Sequence, residues 1–198
     1  MKFKIVSLFV LCAILISCGT SRQGGKKQRK GTKAQVVLTP EQQRKYDYFF
    51  LEASRLKMKD DYSAAFDLLQ HCLTINPNAS SALYEISQYY MYLKQVPQGQ
   101  AALEKAVEND PDNYWYSQGL ASLYQQQNEM QKATNLLESM ATRFSDRMDP
   151  LYSLLDIYNR LEEYDNVITT LNRLEEKMGK NEQLSMEKFR IYLQKKDN

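Results

Sequence analysis

The stretch Tyr46–Pro77 reads YDYFFLEASRLKMKDDYSAAFDLLQHCLTINP, and a similar pattern returns at intervals of 34 residues. The later copies start at Ser80, Tyr114 and Met148. The eighth place of the unit is small in three copies, but the fourth has Leu155. The eleventh place is large, at Leu56, Tyr90, Tyr124 and Tyr158. The twenty-fourth is leucine, at Leu69, Leu103, Leu137 and Leu171. Four copies in one register indicate a repeat architecture.

The period and its signature resemble the tetratricopeptide repeat, in which each unit is a helix-turn-helix. This resemblance implies an all-α fold, a right-handed α-solenoid of about four units followed by a final single helix. The repeat domain would occupy residues 39–198. Its units would fall at about 46–79, 80–113, 114–147 and 148–181, with a half unit at 182–198.

Local signals place the helices of these units. Thr39-Pro40-Glu41-Gln42 has the spacing of a capping box with proline in the first turn, so the first helix starts there. Gly99 falls inside a helix, which suggests a close approach of two backbones. The predicted helices are Pro40–Lys59, Tyr62–Ile75, Ser80–Leu93, Pro97–Asn109, Tyr114–Gln127, Met130–Phe144, Pro150–Leu161, Tyr164–Met178 and Glu182–Lys195.

The last predicted helix has two interpretations. It is either a terminal capping helix, as repeat arrays need, or the first half of a fifth unit in a chain cut from a longer repeat protein. Its apolar residues cover more than one face, which favours truncation.

Charge is distributed unevenly along the chain. Of the 26 basic residues, eight lie within residues 1–40, which contain no acidic residue, so residues 41–198 carry a formal charge of about −6. Duplex binding requires a basic face, and a mildly acidic domain does not provide one. We therefore expect no nucleic-acid partner.

The first 17 residues have the pattern of a signal peptide. Met1–Lys4 is basic, and Ile5–Ile16 is an apolar core too short to span a bilayer. Leu15-Ile16-Ser17-Cys18-Gly19 resembles the bacterial lipobox. That resemblance implies that Cys18 becomes the first mature residue and carries a diacylglyceryl thioether and an N-acyl chain, which together anchor stably. The alternative is an ordinary secretory leader with an incidental cysteine.

Residues 18–38 then read as the lipidated cysteine and a flexible basic tether, since they include Gly24-Gly25, six basic residues and no aromatic residue. The basic residues either rest on anionic headgroups or serve only as a spacer. Gly19 is not the acidic residue typical of inner-membrane retention, and the tether is not acidic as for surface export. We therefore expect a lipid anchor in the outer membrane of a bacterial cell envelope, with the domain facing the periplasm.

The sequence contains no evident arrangement of catalytic or metal-binding residues. His71 is the only histidine, and it neighbours Cys72 on a predicted helix, where adjacent side chains point about 100° apart. No second histidine or paired cysteine completes a metal site, and no phosphate loop occurs. We expect no catalytic residue, no metal and no cofactor, with Cys72 in a packing position.

What remains is a surface. In tetratricopeptide arrays the first helix of each pair lines a concave groove, and the resemblance transfers that role to aromatic and amide residues suited to an extended peptide. The alternative is that the aromatics only pack between helices. The Lys-plus-Asn clamp for a carboxyl terminus, found in chaperone-binding members, is not matched. The candidate groove residues are Phe50, Tyr84, Gln88, Met91, Tyr92, Trp115, Gln118, Gln125, Tyr152, Asn159 and Arg160.

Two functions follow as hypotheses. The first is a membrane-anchored, non-catalytic scaffold or adaptor that binds a protein or peptide in the envelope. The second is a structural subunit of a larger envelope assembly, such as outer-membrane insertion, secretion or polysaccharide machinery.

Overall fold

The computed structural model describes residues 37–197, so the predicted signal peptide, Cys18 and nearly all of the tether lie outside the described residues. Residues 37–197 form α-helices and no strand, which confirms the all-α prediction. The helices are α1 Pro40–Lys57, α2 Tyr62–Ile75, α3 Ser80–Tyr92, α4 Val96–Asn109, α5 Tyr114–Gln126, α6 Met130–Arg143, α7 Asp149–Arg160, α8 Tyr164–Met178 and α9 Glu182–Asp197.

Each helix packs chiefly against its neighbours in chain order, as expected of a repeat solenoid. The observed helix ends agree with the predicted ones to within two residues. The first helix begins as predicted: the amide N–H of Gln42 donates to the Thr39 hydroxyl (3.2 Å), and the Thr39 N–H donates to the Gln42 side-chain oxygen (2.9 Å). This capping box satisfies two amides that a helix start would otherwise leave unpaired.

The turn inside each unit has the same backbone conformation in all four units. Asp60, Lys94, Asn128 and Glu162 have φ values of 61, 58, 60 and 57°, and none is glycine. In the second unit the Gln95 N–H donates to the Tyr90 carbonyl (2.8 Å) and the Lys94 N–H donates to the Met91 carbonyl (3.0 Å). This is a Schellman motif, which closes the end of the first helix of the pair. The other three turns have the same pair of hydrogen bonds.

The core divides into two clusters along the array. One is built from α1 to α4 and contains Leu69 and Cys72; the other runs from α4 to α9 and contains Leu103, Leu137 and Leu171. All of these side chains are buried, which confirms the packing roles predicted for the repeated leucine and for Cys72. Leu155, the large residue in the small eighth place, is half-buried and packs against the second cluster.

Gly99 marks a close approach between α3 and α4. A Cβ added there would lie 2.7 Å from Met91 Cε and 3.2 Å from the Ser87 carbonyl oxygen. The predicted backbone approach is confirmed, and the thioether of Met91 occupies the space that a side chain would need.

Polar side chains also link neighbouring units at a fixed place in the repeat. Asn109 donates to the Asn78 carbonyl (3.1 Å), Arg143 pairs with Asp112 (2.8 Å), and Lys177 donates to the Ser145 carbonyl. The three donors are 34 residues apart, and each reaches back to the turn that precedes its own unit. Asn109 is half-buried, whereas Arg143 and Lys177 are exposed, so the links made by these two add little stability.

Candidate peptide-binding surface

No candidate groove residue is fully buried. Gln88, Tyr92, Trp115, Tyr152 and Arg160 are exposed. The remainder, namely Phe50, Tyr84, Met91, Gln118, Gln125 and Asn159, are half-buried. Their accessibility leaves the predicted role open, and the groove stays a prediction.

Two of the candidates share a pocket. Gln88 and Tyr92 line a cavity of ≈ 390 Å³ together with Lys57, Tyr62 and Tyr89. The Tyr62 ring lies edge-on to Tyr89 (centroids 6.4 Å apart) and tilted against Tyr92 (6.5 Å). Tyr92 is 80% exposed, so its ring forms an open wall. The pocket therefore offers flat apolar surface contributed by α1, the start of α2 and the end of α3.

Of the polar groups in and beside this pocket, some have hydrogen-bond partners and one has none in the described part of the chain. Lys57 Nζ lies 2.7 Å from Glu85 Oε2, and this hydrogen bond raises the pKa of the Lys57 ammonium. The Tyr89 side chain is buried, and its hydroxyl group has no hydrogen-bond partner within residues 37–197. Burial raises the pKa of Tyr89, so this hydroxyl stays protonated. A buried hydroxyl without a partner lowers the stability of the folded state.

Two candidates, Tyr84 and Met91, show the alternative, packing between helices. The Tyr84 ring of α3 stacks on Tyr116 of α5 (4.8 Å). The Phe50 ring stacks on Tyr46 of the same helix, α1 (5.9 Å), and packs against the first core cluster. Met91 lies against Gly99, as described above. These side chains support the wall of the solenoid and present only part of their surface.

A second aromatic cluster forms at the start of α5. Tyr114 packs edge-on against Trp115 and Phe144, each at 5.3 Å, and its hydroxyl donates to Gln118 (3.1 Å). The Arg147 guanidinium lies 4.0 Å from the Tyr114 ring centre and 5.5 Å from that of Trp115. Trp115 and Gln118 thus share Tyr114 as a neighbour, and Arg147 adds a cation that the repeat pattern did not single out.

The remaining candidates join neither cluster. The Tyr152 hydroxyl lies 3.4 Å from Met178 Sδ, and Arg160 lies 3.9 Å from Asp156. The repeat pattern did not single out Tyr62 and Tyr89, because their places in the unit lie outside those assigned to the groove. The signal that could have found Tyr89 is the density of tyrosine between Tyr84 and Tyr92.

The His71–Cys72 pair has the features of a structural element. His71 is exposed and packs on the Phe49 ring (5.5 Å), whereas Cys72 is buried. Burial raises the pKa of the Cys72 thiol to about 11, which suppresses the reactive thiolate at neutral pH. Among the described residues no group of three or more His, Cys, Asp or Glu side chains could hold a metal ion. Nor is any helix of residues 37–197 both long enough and apolar enough to cross a membrane.

Comparison with known proteins supports the repeat assignment. Residues 80–113 match the tetratricopeptide repeat family. No curated protein matches the chain by sequence.

Several solved structures share the fold. MamA aligns with 19% identity and a TM-score of 0.57, over 68% of this chain and 73% of MamA. A tetratricopeptide repeat protein from Parabacteroides merdae aligns with 16% identity and a TM-score of 0.60, over 72% of this chain and 57% of that protein. YrrB, described as a tetratricopeptide protein with an unusual peptide-binding site, aligns with 13% identity and a TM-score of 0.58, over 76% and 77%.

At these identities the likeness concerns the fold and not the function. The chain therefore has the fold of these tetratricopeptide-repeat structures, and its residues 80–113 match the repeat itself.

Proposed function

We propose that the protein is a non-catalytic scaffold that binds an extended peptide segment of another envelope protein. The observation that carries this proposal is the aromatic pocket of the first two units, lined by Lys57, Tyr62, Gln88, Tyr89 and Tyr92. Tyrosine rings on a rigid helical wall bury a large apolar area at low entropic cost, which suits an anchor side chain of the peptide. Gln88 is exposed beside them and supplies donors and acceptors for a peptide backbone.

The Tyr89 ring supports the same proposal because it adds to the apolar wall of the pocket, while its hydroxyl is enclosed by the protein. A protein of the same fold, YrrB, is described as having a peptide-binding site, so the fold is compatible with this class of ligand.

The scaffold would be held at a membrane through lipid on Cys18, at the outer membrane on the periplasmic side. Support for this part comes from the sequence alone: the apolar leader, the lipobox-like residues 15–19 and the basic segment that follows. The runner-up function, a structural subunit of a larger envelope assembly, uses the same anchor and is separated from the first by the binding experiment.

That experiment selects extended peptides against the immobilised full chain and measures their affinity by calorimetry. Tyr92→Ala is expected to weaken binding by about tenfold or more, as for a central aromatic anchor. Tyr48→Ala is the matched control, because Tyr48 is also an exposed tyrosine (64%) but lies outside the pocket. Equal affinity of the Tyr92→Ala variant and the wild type would reject the pocket as the peptide site and favour the assembly subunit.

Lipidation is tested separately by metabolic labelling with palmitate and by membrane fractionation. Cys18→Ser is expected to abolish the label and release the protein, whereas Cys12→Ser, which changes a cysteine inside the leader, is expected to retain both. Labelled, membrane-bound protein from the Cys18→Ser variant would reject the anchor.

A further inference from the structure

Helix α9 is apolar on two opposite faces. Ile191 is buried against the second core cluster, and Leu184 packs against the same cluster. Phe189 is 64% exposed and Tyr192 is 55% exposed. Residues two apart on an α-helix point about 160° away from each other, so Phe189 lies nearly opposite Ile191. Met186 and Leu193 are also exposed and extend the outer stripe.

The outer stripe corresponds to a surface that is covered in every other unit. Phe189 and Tyr192 occupy the eighth and eleventh places of a unit that starts at Glu182. In the four preceding units these two places are buried or half-buried, and the first helix of each pair packs against the second. The tyrosines in the eleventh place also contact the second helix of the preceding unit. The second helix runs antiparallel to the first because a short turn joins them. Within the described residues, no helix takes that place on α9.

The charges around the stripe indicate what covers it. Glu182 lies seven residues before Phe189, and Lys196 lies seven residues after it. A spacing of seven keeps all three side chains within about 20° of one face. Both charged residues are exposed, and within the described part of the chain neither forms an ion pair. The face is thus self-complementary under a two-fold axis through Phe189.

We propose that α9 is a self-association surface, on which α9 of a second copy lies antiparallel, in the place that the second helix occupies in the preceding units. Phe189 then packs on Phe189, Met186 packs on Tyr192, and Glu182 faces Lys196 of the second copy, twice in each dimer. Such an isologous contact closes on itself and yields a dimer and not a filament. The buried area of one helix pair is small, so a weak, concentration-dependent dimer is expected.

The first test measures the mass of the full chain in detergent solution by sedimentation over a concentration series. A dimer is expected for the wild type and a monomer for Phe189→Ala, with helical content by circular dichroism unchanged because Phe189 is exposed. Leu51→Ala is the matched control, since Leu51 is an exposed apolar residue (68%) on α1, and it is expected to remain a dimer. A monomeric wild type at all concentrations, or a dimeric Phe189→Ala variant, would overturn the proposal.

The second test uses charge reversal, which leaves the apolar stripe intact. Glu182→Lys alone and Lys196→Glu alone each place two like-charged pairs in the dimer and are expected to weaken association by roughly tenfold at low salt. An equimolar mixture of the two variants places opposite charges at both positions and is expected to restore wild-type association as a mixed dimer. Equal weakening in the mixture would overturn the antiparallel arrangement, even if a dimer exists.

Discussion

Lys94 has a side chain where the backbone favours glycine. Its φ of 58° is left-handed, a conformation that costs an ordinary L-residue about 1–2 kcal/mol. Glycine removes that cost but gains freedom in the unfolded chain, which offsets part of the benefit. We predict that Lys94→Gly raises the free energy of unfolding by about 0.5–1 kcal/mol, measured by urea titration.

The control for that variant is Lys59→Gly. Lys59 is equally a lysine at an internal turn, but its φ is not positive, so glycine there is expected to be neutral or destabilising. The idea would be wrong if both variants shifted the unfolding midpoint in the same direction.

Cys72 links stability to alkaline pH. Burial raises the pKa of the thiol from its ordinary value of 9.0 to about 11. Above pH 9 the unfolded chain releases this proton while the folded chain keeps it, so stability is full below pH 9 and falls as the pH rises toward 11. The expected loss is roughly 2 kcal/mol, measured as the free energy of unfolding at a series of pH values. Cys72→Ala should remove this part of the pH dependence and leave the part that comes from the tyrosines. If the free energy of unfolding of the variant fell with pH as steeply as that of the wild type, Cys72 would not be its source.

Single residues also show what the sequence could predict. Gly99 and Cys72 were predictable, because a repeat fixes which places must be small or buried. The left-handed turn residues were not predictable, since Asp60, Lys94 and Glu162 are not glycine, the residue that usually indicates such a conformation. The stacking of Arg147 on Tyr114 was not either, because Arg147 lies in a connection between helices, outside the repeat pattern.

At the level of the element, each helix depends on its ends and on its neighbours. Helices of 12–18 residues are marginal alone, so capping and stacking decide whether they form. The ends were predictable to within two residues, because proline and polar turn residues mark them. The predicted end of the first helix at Lys59 was two residues too late, since the chain leaves the helix before the left-handed residue Asp60.

The cap of α1 provides a test at this scale. Thr39→Ala removes the hydroxyl that accepts from the Gln42 N–H and is expected to cost about 1 kcal/mol locally. The Gln42 amide should then exchange with solvent about fivefold faster, measured by hydrogen exchange. Thr74→Ala is the control. The Thr74 hydroxyl donates to the Gln70 carbonyl near the C-terminal end of α2, so it is also a threonine hydroxyl bonded to a helix backbone but does not cap α1. Unchanged exchange at Gln42 in the Thr39→Ala variant would show that the cap is dispensable.

At the level of the whole molecule, the two core clusters predict that a cavity in one cluster destabilises mainly the helices of that cluster. Leu69 and Leu103 occupy the same place in successive units and are equally buried, but they belong to different clusters. Each leucine-to-alanine change is expected to cost about 2–5 kcal/mol. Because repeats interact chiefly with their neighbours, Leu69→Ala should reduce exchange protection in α1–α3, and Leu103→Ala should reduce it in α4–α6. Identical loss of protection along the whole array in both variants would instead indicate one cooperative unit.

The fold as a whole was predictable, because four copies in register leave little freedom of architecture. The candidate surface was predictable only in part. A repeat assigns places to faces, but it does not decide which aromatic ring turns into a neighbouring helix, as Tyr84 does, and which stays open, as Tyr92 does. That choice depends on the partner residue in the next unit, here Tyr116.

The cluster of Trp115, Tyr114 and Arg147 gives the protein an intrinsic fluorescence probe. Trp115 is the single tryptophan of the chain, it is exposed, and a cation lies 5.5 Å from its ring. Indole emission responds to the polarity and charge around the ring, so one fluorescence band reads the environment at the start of α5 without any label. A ligand that covers this end of the surface would shift the band to the blue, whereas one confined to the Tyr92 pocket would leave its wavelength unchanged.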